Sequence, residues 1–523
     1  MVELKPKDVN TWRYRLVSLY PTLFTLLLLI GVPIILPALG HTKIAIAIIL
    51  ILSFNWFIRA IVSLISALIG LYTMHKNKKI PWERELKKLI KNWKGLPAQD
   101  TLPEDWERFK LAIFIPVYKE PYALLKRTLN ALSKTRFDRH KLTIVFAAEE
   151  RGGEQTLQRL KKLKKELAGQ FHDILIYVHP ANIPGEVIGI AGPNLSWAAR
   201  RFSEYLNKHN IKSRNVLALK FDSDTVVPPN FLPELVYRYL TCEQRYKRYF
   251  FPITIIYSNN IWRVPFFSRA FWMIFSFILL AESNINLRKT MSFSTYAFSF
   301  KLLEDIGFWE TTIGIDDTMF FTQAYLYHDT DFSGCPVYTP VYMDAVEGNG
   351  FFDTAKALFK QQIRWGAGAA AAPIILSHLL NKKGKNIPLA HRIWRTLHLL
   401  ELYSLNTTAS FLLAFGAPII SLIASYVSFL ISGVLIPELL VTSLTWASKF
   451  GILVAWIYFY LYVQANPPKK KYLYVWYFIR AQLDLLLLPL NAMLFNMIPY
   501  IYAQLKILAG KYGNFYVVQK VAA

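Results

Sequence analysis

The chain has 523 residues, of which 54% are hydrophobic and 15% aromatic, and its formal net charge is +25. This length accommodates one large domain and several membrane spans, and a soluble protein that is both so apolar and so basic would be unusual. Membrane attachment explains both properties, because Lys and Arg collect on the cytoplasmic side of spans and are attracted to acidic headgroups. Nucleic-acid binding is disfavoured, because the basic residues cluster beside apolar segments and not among stacking aromatics. The two cysteines, Cys242 and Cys335, have no metal-ligand partners at the usual spacing, so neither a disulfide framework nor a zinc site is expected.

Two apolar runs near the N-terminus, at 19–39 and 44–72, predict a helical hairpin that crosses a bilayer. Lys and Arg precede the first run, and residues 75–94 contain eight Lys or Arg against two Glu. Because basic flanks mark the cytoplasmic side, the start of the chain and the part after residue 75 are expected in the cytoplasm. We therefore predict a transmembrane hairpin, 1–75, and a basic cytoplasmic linker, 76–108.

Within residues 109–380, short β-branched and aromatic runs alternate with charged helical stretches, which predicts an α/β fold with a mostly parallel sheet. The predicted strands lie at 111–117, 142–148, 174–178 and 216–221. Ligands of such folds bind at the carboxyl ends of the strands, so the residues just after each strand are the first candidates for a site. Two further apolar runs, 266–280 and 366–380, are short for a span. They are predicted to lie in the membrane interface, with burial as core helices as the alternative.

The chain becomes apolar again after residue 399, and we assign 381–523 as a C-terminal transmembrane region. The runs at 411–435 and 440–463 predict two spans, followed by cytoplasmic lysines at 469–471. The last block, 472–508, fits either one kinked span or a hairpin. The sequence thus predicts a multi-pass protein of the cell (inner or cytoplasmic) membrane whose α/β domain is cytoplasmic.

Two carboxylates, Asp222 and Asp224, directly follow the predicted strand at 216–221. A pair of this kind can bind Mg²⁺ or Mn²⁺, which would neutralise a diphosphate and help it to depart as a leaving group. A solvated acidic turn gives the same pattern, so the motif alone leaves both interpretations open.

A second acidic pair, Asp316 and Asp317, precedes a stretch that is predicted to be helical. A carboxylate here could accept the proton of an attacking hydroxyl as a general base, or the pair could only complement the helix dipole. A later group contains Gln361, Arg364 and Trp365. Arg can grip phosphate oxygens, Trp can stack on a sugar ring and Gln can bind hydroxyls, while an anchor in the membrane interface is the alternative.

Four motifs follow one another along the chain: Ile115-Pro116-Val117-Tyr118-Lys119-Glu120, Asp222-Ser223-Asp224, Ile315-Asp316-Asp317 and Gln361-x-x-Arg364-Trp365. In this order, and between apolar segments, they resemble the membrane-bound family-2 glycosyltransferases of the cellulose-synthase-like branch. The resemblance implies a GT-A-like nucleotide-sugar-binding domain. It also implies inverting transfer from a nucleoside-diphosphate sugar, with uridine diphosphate favoured, to a growing polysaccharide or a glycolipid. The new linkage would be β, and the spans could translocate the chain, with export partners that are unknown.

The resemblance also implies roles for individual residues. Those implied in donor binding are Pro116, Tyr118, Glu120, Glu149, Glu150, Asp222 and Asp224. Asp222 and Asp224 would also hold Mg²⁺ or Mn²⁺, and Asp317 matches the catalytic base. Those implied in holding the acceptor end or the diphosphate are Asp316, Gln361, Arg364 and Trp365.

Three departures from the family pattern stand out. The Thr-Glu-Asp motif is Ile315-Asp316-Asp317 here, and an acidic pair that is usually Asp is Glu149-Glu150. The segment 189–195 resembles the family's Lys-x-Gly-Asn-Leu element without the lysine that normally helps to hold the diphosphate. Either Arg200, Arg201 or another cation replaces it, or donor binding differs from the usual pattern. Two alternatives also remain: transfer of a single sugar to a lipid carrier, and a catalytically inactive membrane scaffold.

Overall fold

The computed structural model describes the chain in segments: residues 12–97, 102–285, 291–313, 315–380, 387–405, 407–408, 438–466, 475–476, 479, 484 and 487–511. The predicted span at 411–435 and the lysines at 469–471 lie outside the described residues. Within them, a seven-stranded sheet is accompanied by apolar helices from both ends of the chain.

The N-terminal hairpin consists of two apolar helices. Helix α1, Trp12–Leu26, continues through a π-helical stretch, Leu27–Ile35, and a last turn, Leu36–Ala38, and α2 is Thr42–Lys78. Gly40 between them has a φ of +81°, a conformation that glycine adopts without a steric penalty. The segments Val17–Ala38 and Thr42–Lys78 are long and apolar enough to cross a membrane, as the sequence predicts.

The sheet contains seven strands in the order β3-β2-β1-β4-β7-β5-β8. The strands are β1 (Lys110–Val117), β2 (Leu142–Glu149), β3 (Asp173–His179), β4 (Val216–Lys220), β5 (Arg248–Pro252), β7 (Tyr296–Ser299) and β8 (Ser333–Val337). Strand β7 runs antiparallel to β4 and β5, and the other pairings are parallel. A separate ladder pairs β6 (Ile255–Ile256) with β9 (Val341–Tyr342). The predicted α/β fold with a mostly parallel sheet is confirmed.

Both faces of the sheet are covered, which explains why its strands are nearly continuous apolar runs. Along β1, Leu111, Ile113 and Ile115 join one buried cluster, whereas Ala112 and Phe114 join the cluster on the opposite face. Successive side chains of a strand point to opposite faces, so one strand contributes to both cores.

Helices connect the strands and flank the sheet. Within the domain and just before it they are α3 (Trp82–Lys91), α4 (Tyr122–Ser133), α5 (Glu154–Glu166), α6 (Gly192–Lys208), α7 (Phe231–Thr241), α8 (Phe266–Ile285), α9 (Phe300–Asp305), α10 (Asp316–Tyr327), α11 (Phe351–Gly366) and α12 (Ala371–Leu380). Towards the C-terminus they are α13 (Leu389–Leu400), α14 (Glu438–Ala465), α15 (Leu488–Ala492) and α16 (Ile498–Leu508). Helix α11 packs on α16, while α8 and α14 pack on α2.

The two runs predicted as interfacial helices are longer than their apolar cores suggest. Helix α8 has 20 residues, and the helical segment Phe351–Leu380, which joins α11 to α12, has 30. Both meet the length and composition of a membrane span, and most of each apolar stretch is buried within the protein. The domain boundaries at 75, 108 and 380 stay predictions.

Candidate active site

A cavity opens at the carboxyl ends of β1, β2 and β4, where ligands of open α/β sheets bind. The predicted site residues that line it are Pro116, Tyr118, Glu120, Glu149, Asp222, Asp224, Asp316, Asp317, Gln361, Arg364 and Trp365. Glu150 does not line the cavity: its side chain accepts a hydrogen bond from the backbone N–H of Ala181, with Oε2 at 2.7 Å. Residues that are far apart in sequence therefore meet at one edge of the sheet.

A buried lysine lies at the centre of the acidic residues. Lys220, the last residue of β4, is 3% exposed. Its Nζ lies 2.7 Å from Asp222 Oδ1 and 3.3 Å from Asp316 Oδ2. A buried ammonium is costly unless it is paired, and here it joins Asp222, in the turn after β4, to Asp316, the first residue of α10. The sequence interpretation missed this residue, although a lysine ending an otherwise apolar strand was a readable signal.

The carboxylates that surround Lys220 dominate its electrostatics. Burial alone would lower the pKa of Lys220, but the charges of Asp222, Asp316 and Asp317 outweigh it and raise the pKa well above the ordinary value. Lys220 therefore stays protonated at physiological pH and offsets part of the negative charge of the cavity.

Ser294 joins the two acidic motifs. Its Oγ donates to Asp222 Oδ2 at 2.7 Å, and its backbone N–H donates to Asp317 Oδ2 at 2.6 Å. Ser294 has a φ of +52°. A positive φ is uncommon for residues other than glycine and is often found at functional sites. Its position just before β7 was not predicted, because nothing local to the sequence 291–295 shows that it faces Asp222.

Asp317 has the electrostatic character of a base that works near neutral pH. Burial is the main cause, followed by the adjacent Asp316 carboxylate, and together with Asp222 they raise the pKa of Asp317 to about 6. Lys220 and the N–H of Ser294 act in the opposite direction. A carboxylate with such a pKa is ionised at pH 7 yet basic enough to accept a proton during a reaction.

The side of the cavity next to β1 and β2 carries the remaining acidic candidates. The N–H of Tyr118 donates to Glu120 Oε2 at 2.6 Å, which fixes the turn after β1. Glu149, at the end of β2, is paired with Arg151 and accepts a hydrogen bond from Asn194 Nδ2 at 3.4 Å. These contacts leave a polar wall beside the strand ends that suits a nucleoside.

The cations expected to replace the missing family lysine lie elsewhere. Arg200 donates to the carbonyl of Gly307, and Arg201 is paired with Glu204 on the same helix. Neither lines the cavity, whereas Lys220 and Arg364 do. The segment that resembles the family element still reaches the cavity, through Gly189 to Ala191 and Asn194.

An aromatic cluster surrounds Trp365, and two of its members, Trp365 and Phe293, line the cavity. The ring of Trp365 lies 5.2 Å from that of Phe293, 5.3 Å from Phe275 and 5.6 Å from Trp272. Gln361 and Arg364, on the same helix α11, also line the cavity. A flat apolar surface beside an amide and a guanidinium is chemically suited to a sugar that carries phosphate nearby.

The donor set allows a hard cation. Asp222 and Asp224 both line the cavity and supply carboxylate oxygens, the ligands that Mg²⁺ and Mn²⁺ prefer. The described residues contain no group of three or more His, Cys, Asp and Glu that could hold a metal ion by itself. One or two carboxylates suffice when substrate phosphates complete the coordination shell, so these residues fit such an ion.

A mostly parallel α/β sheet with an acidic, partly aromatic cavity at its carboxyl edge is typical of a ligand-binding domain. Residues 219–498, just over half of the chain, match the family model described as glycosyl transferase family group 2. The chain therefore belongs to this family and is a glycosyltransferase.

Distant structural similarity accompanies this match. The mannosyltransferase PcManGT from Pyrobaculum calidifontis, solved with GDP-Man and Mn²⁺, is 16% identical, with a TM-score of 0.39 over 76% of this chain and 98% of that chain. The 1–349 fragment of S. aureus TarS, solved with UDP-GlcNAc, is 15% identical, with a TM-score of 0.36 over 78% of this chain and 95% of that chain. Among curated proteins, no relative matches the chain.

Proposed function

We propose that this protein is an inverting membrane glycosyltransferase of the cellulose-synthase-like branch. It moves a sugar from a nucleoside-diphosphate sugar, with uridine diphosphate as the favoured carrier, to a growing polysaccharide. The observation that carries the proposal is the single cavity where residues of all four sequence motifs meet, beside apolar helices. The family match supports sugar transfer, and the motif order supports the branch.

The proposed chemistry starts with Asp317. Its carboxylate accepts the proton of an acceptor hydroxyl as that oxygen attacks the anomeric carbon, and Ser294 holds the carboxylate in place through its N–H. Direct displacement inverts the anomeric centre, so an α-linked donor gives a β-linkage. Arg364, which lines the cavity, binds the departing diphosphate. A divalent cation bound at the Asp222–Asp224 motif, where Asp224 is a carboxylate ligand, would neutralise the phosphates of the donor.

The domain arrangement follows from the same proposal. The hairpin 1–75 and the region 381–523 anchor the enzyme in the cytoplasmic membrane, and the domain 109–380 faces the cytoplasm with the linker 76–108. Trp365 ends the motif one residue before the Gly/Ala-rich turn that leads into α12, an apolar helix beside which a growing chain could enter the membrane. This arrangement favours processive synthesis.

The experiment that tests the proposal is release of nucleoside diphosphate by the purified protein across a panel of nucleotide sugars, with and without Mn²⁺. We expect turnover with one donor, and a loss of about 10²- to 10⁴-fold in Asp317→Asn with donor binding retained. Equal turnover in the wild type and in this variant would overturn the role of Asp317. A scaffold would show no donor-dependent release at all.

Processivity is tested by sizing the product after incubation with labelled donor. A ladder or a long polymer is the expected result, because the acceptor end stays against Trp365 between additions. A single sugar on a lipid would instead assign the chain to non-processive transfer, with the catalytic residues unchanged.

A further inference from the structure

Asp344, which follows β9, is a buried carboxylate that none of the sequence motifs includes. Its side chain is 6% exposed, and its Oδ1 is paired with Arg127 Nη2 at 2.6 Å. Its Oδ2 is buried and has no hydrogen-bond partner among the described residues. Asp344 also lines the active-site cavity. A buried carboxylate oxygen without a donor is expensive, so this oxygen calls for a partner that comes from the cavity.

The strand register places Asp344 opposite Asp224. Val226 and Tyr342 form an antiparallel bridge through two backbone hydrogen bonds, of 2.8 and 2.9 Å. Two residues back from Val226 and two residues on from Tyr342, Asp224 and Asp344 therefore face each other across the ladder. The N–H of Asp344 donates to Asp224 Oδ2 at 3.3 Å, which agrees with this register. Like charges at facing positions destabilise a ladder unless a cation lies beside them.

The sequence suggests Asp222 and Asp224 equally as metal ligands, but both carboxylate oxygens of Asp222 already accept hydrogen bonds from other side chains. Its Oδ1 accepts from Lys220 at 2.7 Å, and its Oδ2 accepts from Ser294 at 2.7 Å. An ammonium on one oxygen and a hydroxyl on the other compete with a divalent cation for the same lone pairs. Positive charge is thus already supplied on the Asp222 side of the motif.

We propose that the divalent cation of this enzyme binds between Asp224 and Asp344, with Arg127 orienting Asp344 from behind. A ligating carboxylate commonly has its second oxygen held by an outer partner, and Arg127 fills that position. Phosphate oxygens of the donor and water complete the shell of a Mg²⁺ or Mn²⁺ ion. The assignment rests on the proposed function, since it gives the cation a donor diphosphate to neutralise.

The test is Mn²⁺ binding to the purified full-length protein, measured by electron paramagnetic resonance of free Mn²⁺, with Mn²⁺ alone and with uridine diphosphate added. Asp344→Asn and Asp224→Asn should each weaken Mn²⁺ binding by at least about tenfold, because outer-shell partners alone are worth that much. Asp222→Asn should change it by less than either. Equal losses in Asp222→Asn and Asp224→Asn, with none in Asp344→Asn, would overturn the assignment.

A matched control lies three residues further along. Glu347 also lines the cavity, but its carboxylate is held by Arg263 in two contacts of 2.6 Å, so Glu347→Gln should leave Mn²⁺ affinity unchanged. Asp344→Cys guards against a misfolded Asp344→Asn variant. A thiolate ligand favours Zn²⁺ over Mn²⁺, so this variant should shift the preference towards Zn²⁺ in calorimetric titrations. An unchanged preference in a folded Asp344→Cys protein would overturn the proposal.

Failure of the proposed metal site and failure of the proposed function give different results. A wild-type protein that binds Mn²⁺ through Asp224 and Asp344 but releases no nucleoside diphosphate upholds the metal site and removes the proposed function. Turnover with Mn²⁺ affinity that is insensitive to Asp344 upholds the function and removes the metal site.

Discussion

At the scale of single residues, the active site is a balance of charges around Lys220. Asp222 and Asp316 contact its ammonium, while Asp317 is held by Ser294. A carboxylate that must accept a proton near pH 7 needs a raised pKa, and burial beside Asp316 provides it. The lysine limits how far that pKa rises, so its position tunes the base as well as neutralising its neighbours.

The turnover rate should depend on pH through Asp317. The pKa of Asp317 is raised to about 6, so the carboxylate that we propose as the base is protonated at lower pH. For kcat/KM, which reports the free enzyme, we expect a rise with pH and an inflection near 6. Because the pKa of Asp317 is higher in the folded state than in the unfolded state, protonation of Asp317 favours the folded state. The free energy of unfolding of the wild type, compared with that of Asp317→Asn, should therefore fall as pH rises from about 4 to about 6. Thermal unfolding over the same range separates the two effects, because activity lost to acid unfolding would follow the melting midpoint.

Lys220→Met should both destabilise the protein and alter the pH profile. Removing one partner of a buried ion pair leaves Asp222 and Asp316 uncompensated, at a cost of about 3–5 kcal/mol. The inflection of the rate should also move to higher pH, because Lys220 lowers the pKa of Asp317. Thermal unfolding and a pH–rate series measure the two changes. Lys301→Met is the control, because its pair with Asp305 is 39% exposed on the lysine side and should contribute less than about 1 kcal/mol.

At the scale of secondary-structure elements, the site depends on how closely α6 approaches the segment before α10. The first residue of α6, Gly192, leaves no room for a side chain: a Cβ there would lie 2.5 Å from the carbonyl oxygen of Glu310 and 3.8 Å from Asp316 Cβ. Close packing against Glu310 therefore explains why residue 192, in the segment that resembles the family's Lys-x-Gly-Asn-Leu element, is a glycine. The absence of a side chain lets the acidic motif reach the strand ends.

Gly192→Ala should therefore lower both stability and turnover. The added methyl meets backbone that can move only by shifting the segment that leads to Asp317, and overpacking of this kind typically costs about 1–3 kcal/mol. We expect a lower thermal midpoint and a reduced rate at saturating donor. Gly451→Ala, in α14, is the matched control, since a Cβ there meets no atom of the described residues within 4 Å and alanine suits a helix better than glycine. A stable, fully active Gly192→Ala protein would contradict the packing argument.

Most of the sheet was predictable at this scale and part of it was not. The predicted strands became β1 to β4. The apolar runs of β1, β2 and β4 are buried on both faces, whereas β3, at the edge of the sheet, is only partly buried. Strands β5, β7 and β8 were not predicted, because β7 is only four residues long and its antiparallel pairing with β4 depends on contacts distant in sequence. Helix α8 extends five residues beyond its apolar run, as far as Ile285. Tertiary packing stabilises this more polar last part of the helix, which hydrophobic periodicity alone does not predict.

At the scale of the whole molecule, charge pairs join described helices that are distant in sequence. Arg269, in α8, is 1% exposed and binds Asp484 Oδ2 through Nε at 3.0 Å and Nη2 at 2.7 Å. Arg59, in α2, pairs with Glu401 after α13. Charges in apolar surroundings persist only when they are paired, so these contacts connect parts of the chain more than 200 residues apart.

Asp484→Asn should destabilise the protein strongly, because it leaves Arg269 buried with a neutral partner, at a cost of about 3–5 kcal/mol. The double variant Arg269→Met with Asp484→Leu should regain much of the loss, since apolar residues remove both charges. Thermal unfolding in detergent measures both. The exposed pair of Lys87 and Glu83 provides the comparison: Glu83→Gln should change the midpoint little. Equal effects at the two sites would show that the buried pair is not structurally important.

The sequence by itself determined the apolar helices, the mostly parallel α/β domain and the order of the four motifs, because hydrophobic periodicity and strand-end residues are local properties. Only the tertiary structure decided which charges meet. Lys220 lies among the carboxylates because β4 adjoins the start of α10, Ser294 reaches Asp222 from the segment before β7, and Asp344 faces Asp224 through an antiparallel bridge. These contacts join residues up to 120 positions apart, and their free energy depends on burial and distance, which one-dimensional spacing does not contain.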